Sequence, residues 1–97
     1  METIFTPNQR MLILQGLKND AGHNLSNEML QRLLKEYGHA VGISEVNEQI
    51  NWLEQRGYVK TKRMGATPLV IVTIARPGLD VAEGFIRAEG IDPPLEE

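Results

Sequence analysis

Cysteine is absent from this chain of 97 residues, so it has no disulfide, no thiolate nucleophile and no cysteine-ligated zinc site. That absence suits a reducing compartment, and the cytoplasm is the expected location. Long apolar runs are missing too. Nothing approaches the roughly 18 uninterrupted apolar residues of a membrane span, and residues 1–10 lack the basic start and apolar stretch of a signal peptide. No membrane association is expected. Histidine is scarce: His23 and His39 stand apart on expected loops with no third ligand at a recognisable spacing, which argues against a metal site. Ser26 and Ser44 have no paired base, and the glycines form no phosphate-binding loop. With no catalytic constellation and no cofactor motif, a binding protein is expected and an enzyme is not.

One absence is local. Between Arg56 and Leu79 there is no acidic residue, while Arg56, Lys60, Lys62, Arg63 and Arg76 are all basic. All 13 acidic residues therefore face only five basic ones elsewhere, although the whole chain is just −3. Segregation of this kind marks a basic feature on an acidic body. A strand edge guarded by lysines against aggregation accounts for it equally well.

What is present is punctuation and periodicity. Thr6-Pro7-Asn8-Gln9 reads as a helix start, with Thr6 as cap, Pro7 in the first turn and Gln9 at the capping-box position. Met11, Leu12, Ile13, Leu14 and Leu17 make the helix over 7–19 apolar nearly all round, so it should be central. Ser26 caps a second helix, 26–37, in which Leu30, Leu33, Leu34 and Tyr37 keep one face and Gly38 is the stop. Ser44 opens a third, 44–56, with Val46, Ile50 and Leu53 inward and Gly57 as its stop. The period then changes to two: strands are expected at 58–64 and 69–74, joined through Gly65-Ala66-Thr67-Pro68. Pro77 begins a fourth helix, 77–88, with Leu79, Ala82, Phe85 and Ile86 inward. Gly78 would permit close packing there. One domain is expected over residues 1–90, since a chain this short holds one core, followed by a frayed tail over 91–97.

Three helices, a β-hairpin and a closing helix define a mainly α fold with a small sheet, the winged helix, whose second and third helices form a helix-turn-helix. The run Trp52-Leu53-Glu54-Gln55-Arg56-Gly57-Tyr58-Val59 resembles the junction of recognition helix and wing in winged-helix regulators. Residues 72–82 resemble their return from the wing into the last helix. In Tyr37-Gly38-His39, the Trp-Leu-Glu-Gln run, Gly78-Leu79-Asp80-Val81-Ala82 and the Gly-Ile near the end, the chain is similar to small winged-helix proteins of Mu-like prophages over roughly residues 10–94. The resemblance implies the fold, a phage context and a bacterial host cytoplasm, with little mechanism. Relatives often place a basic residue before the tail proline, where this chain has Asp92-Pro93.

Two functions follow as expectations. In the first, the third helix enters the major groove of DNA. Ser44, Asn47, Gln49, Asn51 and Gln55 are then the candidate contacts, and Lys60, Lys62, Arg63 and Arg76 the grip on phosphates. Glu45, Glu48 and Glu54 on that helix oppose docking. In the second, the domain binds a phage or host protein, or a second copy as a homodimer, through Trp52, Phe85 and Ile86. For these three, core packing is the competing role. An exposed Trp52 beside an apolar patch would favour the second function. A buried Trp52, with the wing cations on the outward side of the third helix, would favour the first.

Overall fold

A computed structural model describes residues 2–94. Helix α1 (Thr6–Asn19) is the hub, with Met11, Leu12, Ile13, Leu14 and Leu17 all buried. Around it lie β1 (Asn24–Ser26), α2 (Asn27–Glu36), α3 (Ile43–Gln55), β2 (Val59–Arg63), β3 (Val70–Ile74) and α4 (Arg76–Ala82). The strands form one antiparallel sheet in the order β1-β3-β2. The architecture is thus mixed α/β and compatible with the expected winged-helix order. No helix among the described residues is long and apolar enough to cross a membrane.

The helix starts divide. Ser26 caps α2 as expected, its hydroxyl accepting the Met29 N–H at 3.1 Å. Thr6, by contrast, is already helical: Phe5 is the N-cap, and the Thr6 hydroxyl accepts the N–H of Thr3 instead. Gln9 makes no capping box, because its side chain lies against His39. Helix α3 starts one residue early at Ile43, on Gly42, which offers no side-chain cap.

The helix ends agree with one another. In α2, α3 and α4 the same pair of backbone hydrogen bonds closes the last turn around a glycine of positive φ. Gly38 and His39 bond back to Lys35 and Leu34, Gly57 and Tyr58 to Glu54 and Leu53, and Gly84 and Phe85 to Val81 and Asp80. The third of these corrects the expected helix over 77–88. Gly84 (φ 82°) ends α4 at Ala82, and the chain leaves the helix before Phe85 and Ile86 can turn inward. Phe85 is 76% exposed.

Gly78 does what its position suggested. A Cβ there would collide with the carbonyl oxygen of Tyr58, so α4 packs directly on the backbone leading into β2. Within the expected tail, residues 91 and 92 are held against the domain. Ile91 is buried in the core, and the Asp92 N–H bonds to the Pro7 carbonyl at 3.1 Å. Residues 95–97 of the expected tail lie outside the described residues.

Candidate nucleic-acid interface

Helix α3 buries Val46, Ile50 and Leu53, and a fourth residue joins them on that side: Gln49, only 4% exposed. Gln49 follows Val46 by three positions and precedes Leu53 by four, which is the inward face of a helix. Its expected place among outward contacts is corrected accordingly. The side-chain oxygen of Gln49 accepts the Nε–H of Arg10 at 2.8 Å.

Arg10 was not singled out by its sequence, yet it organises this side of the molecule. It is 2% exposed. Its other nitrogens donate to the Gly90 carbonyl at 2.9 Å and to the Glu2 carboxylate, and its guanidinium stacks 3.7 Å from the centre of the Trp52 ring. Arg56 stacks on the same ring at 3.8 Å. The bond to Arg10 holds the Glu2 carboxyl below its ordinary pKa of 4.5, and the charge of Arg10 adds to that. Trp52 is therefore half-buried, engaged by two cations and by the backbone at Gly90, where a Cβ would stand 2.8 Å from the ring. It has neither of the environments set out above: it is not part of an exposed apolar patch, and it is not fully enclosed.

A second buried network fixes the opposite flank of α3. Asn27 is 2% exposed. Its side-chain oxygen accepts the Val70 N–H at 3.2 Å and the Glu28 N–H at 3.1 Å. Its nitrogen donates to the Oδ1 of Asn47 at 3.0 Å and to the Pro68 carbonyl at 3.4 Å. One amide thus ties the start of α2 to α3 and to the loop end of the β2–β3 hairpin. Further along the same flank, the Glu54 carboxylate accepts from both the N–H and the hydroxyl of Thr61 in β2, at 3.1 and 2.7 Å. That carboxylate is occupied by the fold and also satisfies a donor on the exposed edge of the sheet.

What remains outward on α3 is Ser44, Asn51 and Gln55, all exposed, with Glu45 and Glu48 beside them. Asn47 is exposed too, but its oxygen is committed to Asn27.

The expected basic grip is divided by strand register. Side chains alternate between the two faces of a strand. Val59 is buried and Thr61 meets Glu54, so Arg63 shares the α3 side of the hairpin. Lys60 and Lys62 point to the other face, opposite Thr73 and Ile71 and in line with Asn24 and Ser26. Arg76 begins α4 with an 85% exposed side chain, 3.9 Å from Asp80. Of the four cations, the register gives only Arg63 to the side that α3 occupies.

The third set of expected residues lies elsewhere. Phe85 and Ile86 flank a groove of about 900 Å³ that runs past Tyr37, Lys18 and Pro93. Both are exposed, since α4 ends before them.

The fold and this surface define a small mixed α/β domain carrying one polar helix face, clamped on both flanks by buried side chains. No family model matches the chain. It is 34% identical over 91 residues to the "Uncharacterized protein gp26" of Escherichia phage Mu, a match covering 94% of this chain and 92% of that protein. The chain belongs to the family of that phage Mu protein, which supports a Mu-like phage origin.

Proposed function

We propose that the chain is a winged-helix domain that binds duplex DNA, with α3 in the major groove and the β2–β3 hairpin as its wing. The observation that carries this reading is the state of α3. Its outer face presents Ser44, Asn51 and Gln55 to solvent, while Asn47 and Gln49 are spent on holding the helix in place. A helix anchored on both flanks and left polar on the third side is what groove reading needs, because the contacts must be presented at fixed positions. Arg63 supplies the wing's contact to phosphate; Lys60 and Lys62 lie too far round the sheet to share it. The exposed carboxylate of Glu45 on the same helix holds the affinity down.

The test is fluorescence anisotropy on labelled random-sequence duplex across a salt series. Binding should weaken steeply with salt, and Arg63→Ala should reduce the slope of log K against log salt by about 0.9, one phosphate contact. The pair Lys60→Ala/Lys62→Ala should leave the slope unchanged. Absence of binding at low salt would end the reading.

A protein-interaction module is the second reading, favoured by Phe85, Ile86 and Tyr37 at 76%, 49% and 60% exposure around one groove. Its occupant would be a phage or host protein or a second copy of the chain. Concentration-dependent association that Phe85→Asp abolishes, measured by sedimentation, would support the homodimer.

A further inference from the structure

The duplex-binding reading leaves open what α3 reads, and its side chains narrow the choice. Four amides lie on this helix: Asn47, Gln49, Asn51 and Gln55. An amide recognises adenine with both ends at once, its oxygen accepting from N6 and its nitrogen donating to N7. Such a contact requires that both ends be free. The oxygen of Asn47 already accepts from Asn27, and the oxygen of Gln49 accepts from Arg10 in the interior. Asn51 and Gln55 are exposed, and among the described residues neither amide has a partner.

Their spacing adds a second constraint. Four residues along a helix advance by about 6 Å and return to the same face. Base pairs stack about 3.4 Å apart, so the two amides span about two base-pair steps. Position on the helix supplies a third. Asn51 follows Asn47 by one turn and Gln55 follows Asn51 by another, so the two continue the exposed face beyond the residue tied to Asn27. The two amides line one hollow together with Glu48 and Trp52, so both face the same direction.

We infer that this chain selects adenine within a window of about three base pairs, through bidentate contacts from Asn51 and Gln55. The inference rests on the duplex-binding reading and adds the base, the residues and the edge of the base that they touch. The edge makes it testable at the level of single atoms. Replacing adenine by 7-deazaadenine removes N7 and leaves Watson–Crick pairing intact.

The experiment selects duplexes from a random library with the full chain, then measures anisotropy on the best sequence. Adenine should be enriched at two positions about two base-pair steps apart. Substituting 7-deazaadenine there should weaken binding about 5- to 140-fold, the range that one bidentate pair is worth. Asn51→Ala or Gln55→Ala should lose a similar factor on the natural duplex and a clearly smaller one on the 7-deaza duplex, where only the bond to N6 is left to lose. Both side chains are exposed, and circular dichroism of each variant checks that the fold is kept. Tight binding with no adenine enrichment, or with indifference to 7-deazaadenine, overturns the inference and leaves duplex binding standing. Absence of any duplex binding by the unaltered chain overturns both together.

Discussion

Arg10 and Gln49, on different helices and 39 residues apart, meet through a single 2.8 Å hydrogen bond inside the molecule. Neither has a substitute partner for that bond. Gln49→Leu leaves a guanidinium N–H unpaired in the interior and should cost about 2 kcal/mol. Arg10→Ala also removes the stack on Trp52 and the bond to Gly90, and should cost about 3 kcal/mol. Urea unfolding of both single variants and the double variant should yield a coupling energy of about 1–3 kcal/mol with unchanged m-values. Strict additivity would mean the bond contributes nothing net.

Asn27 makes a comparable claim on the hairpin. Asn27→Ala orphans the Val70 N–H and frees Asn47, with an expected loss of about 2–3 kcal/mol. The informative readout is local. Hydrogen exchange at the Val70 amide should accelerate more than exchange at Val72, which β1 and β2 flank on both sides. Uniform acceleration across the sheet would show that Asn27 acts on global stability alone.

Two glycines should respond in opposite directions. Gly78→Ala drives a methyl group into the Tyr58 carbonyl and should destabilise by about 2–3 kcal/mol. At Gly42 nothing stands within 4 Å of a Cβ and φ is an ordinary −73°. Gly42→Ser therefore adds a capping hydroxyl to α3 and should gain a few tenths of a kcal/mol, about 0.3. Thermal melts of the two variants separate the cases.

Glu2 sets a pH dependence. Its carboxyl titrates lower in the folded chain than its ordinary 4.5, because Arg10 binds the ionised form. The stabilisation is therefore complete above 4.5 and disappears as pH falls through the lowered folded value. Glu2→Gln should flatten stability across that acid window by losing the contribution at neutral pH, and change little at the acid end where Glu2 is already protonated. An unchanged acid profile in Glu2→Gln would show that the exposed carboxylate contributes nothing.

The sequence displayed its repeats of chemistry better than its long-range partnerships. Ser26, Gly38 and Gly57 announce helix boundaries because each acts on the turn beside it. Gly84 closes α4 by the same geometry, yet Phe85 and Ile86 continue a plausible helical spacing and masked the stop. The inward position of Gln49 was legible from its distance to Val46 and Leu53. The short strand β1 was not, since Asn24-Leu25-Ser26 exists as a strand only because β3 lies alongside it. Arg10 and Asn27 were hidden for a related reason. An arginine in an exposed-looking turn and an asparagine after a cap have no local signal of burial. Their partners arrive from 80 and 43 residues away. At the candidate interface, the sequence marked the helix and the cations, and strand register was needed to separate Arg63 from Lys60 and Lys62.

The grasp of Arg10 on both Glu2 and Gly90 bears on how the chain comes to be folded. A polypeptide leaves the ribosome N-terminus first, so Arg10 is out long before Gly90 and Ile91 are made. Until they arrive, its charge lacks the carbonyl that satisfies it, Trp52 lacks the backbone that covers it, and one wall of the core is open. Helices and hairpin can form in the nascent chain, but the domain can close only after Gly90 and Ile91 have emerged.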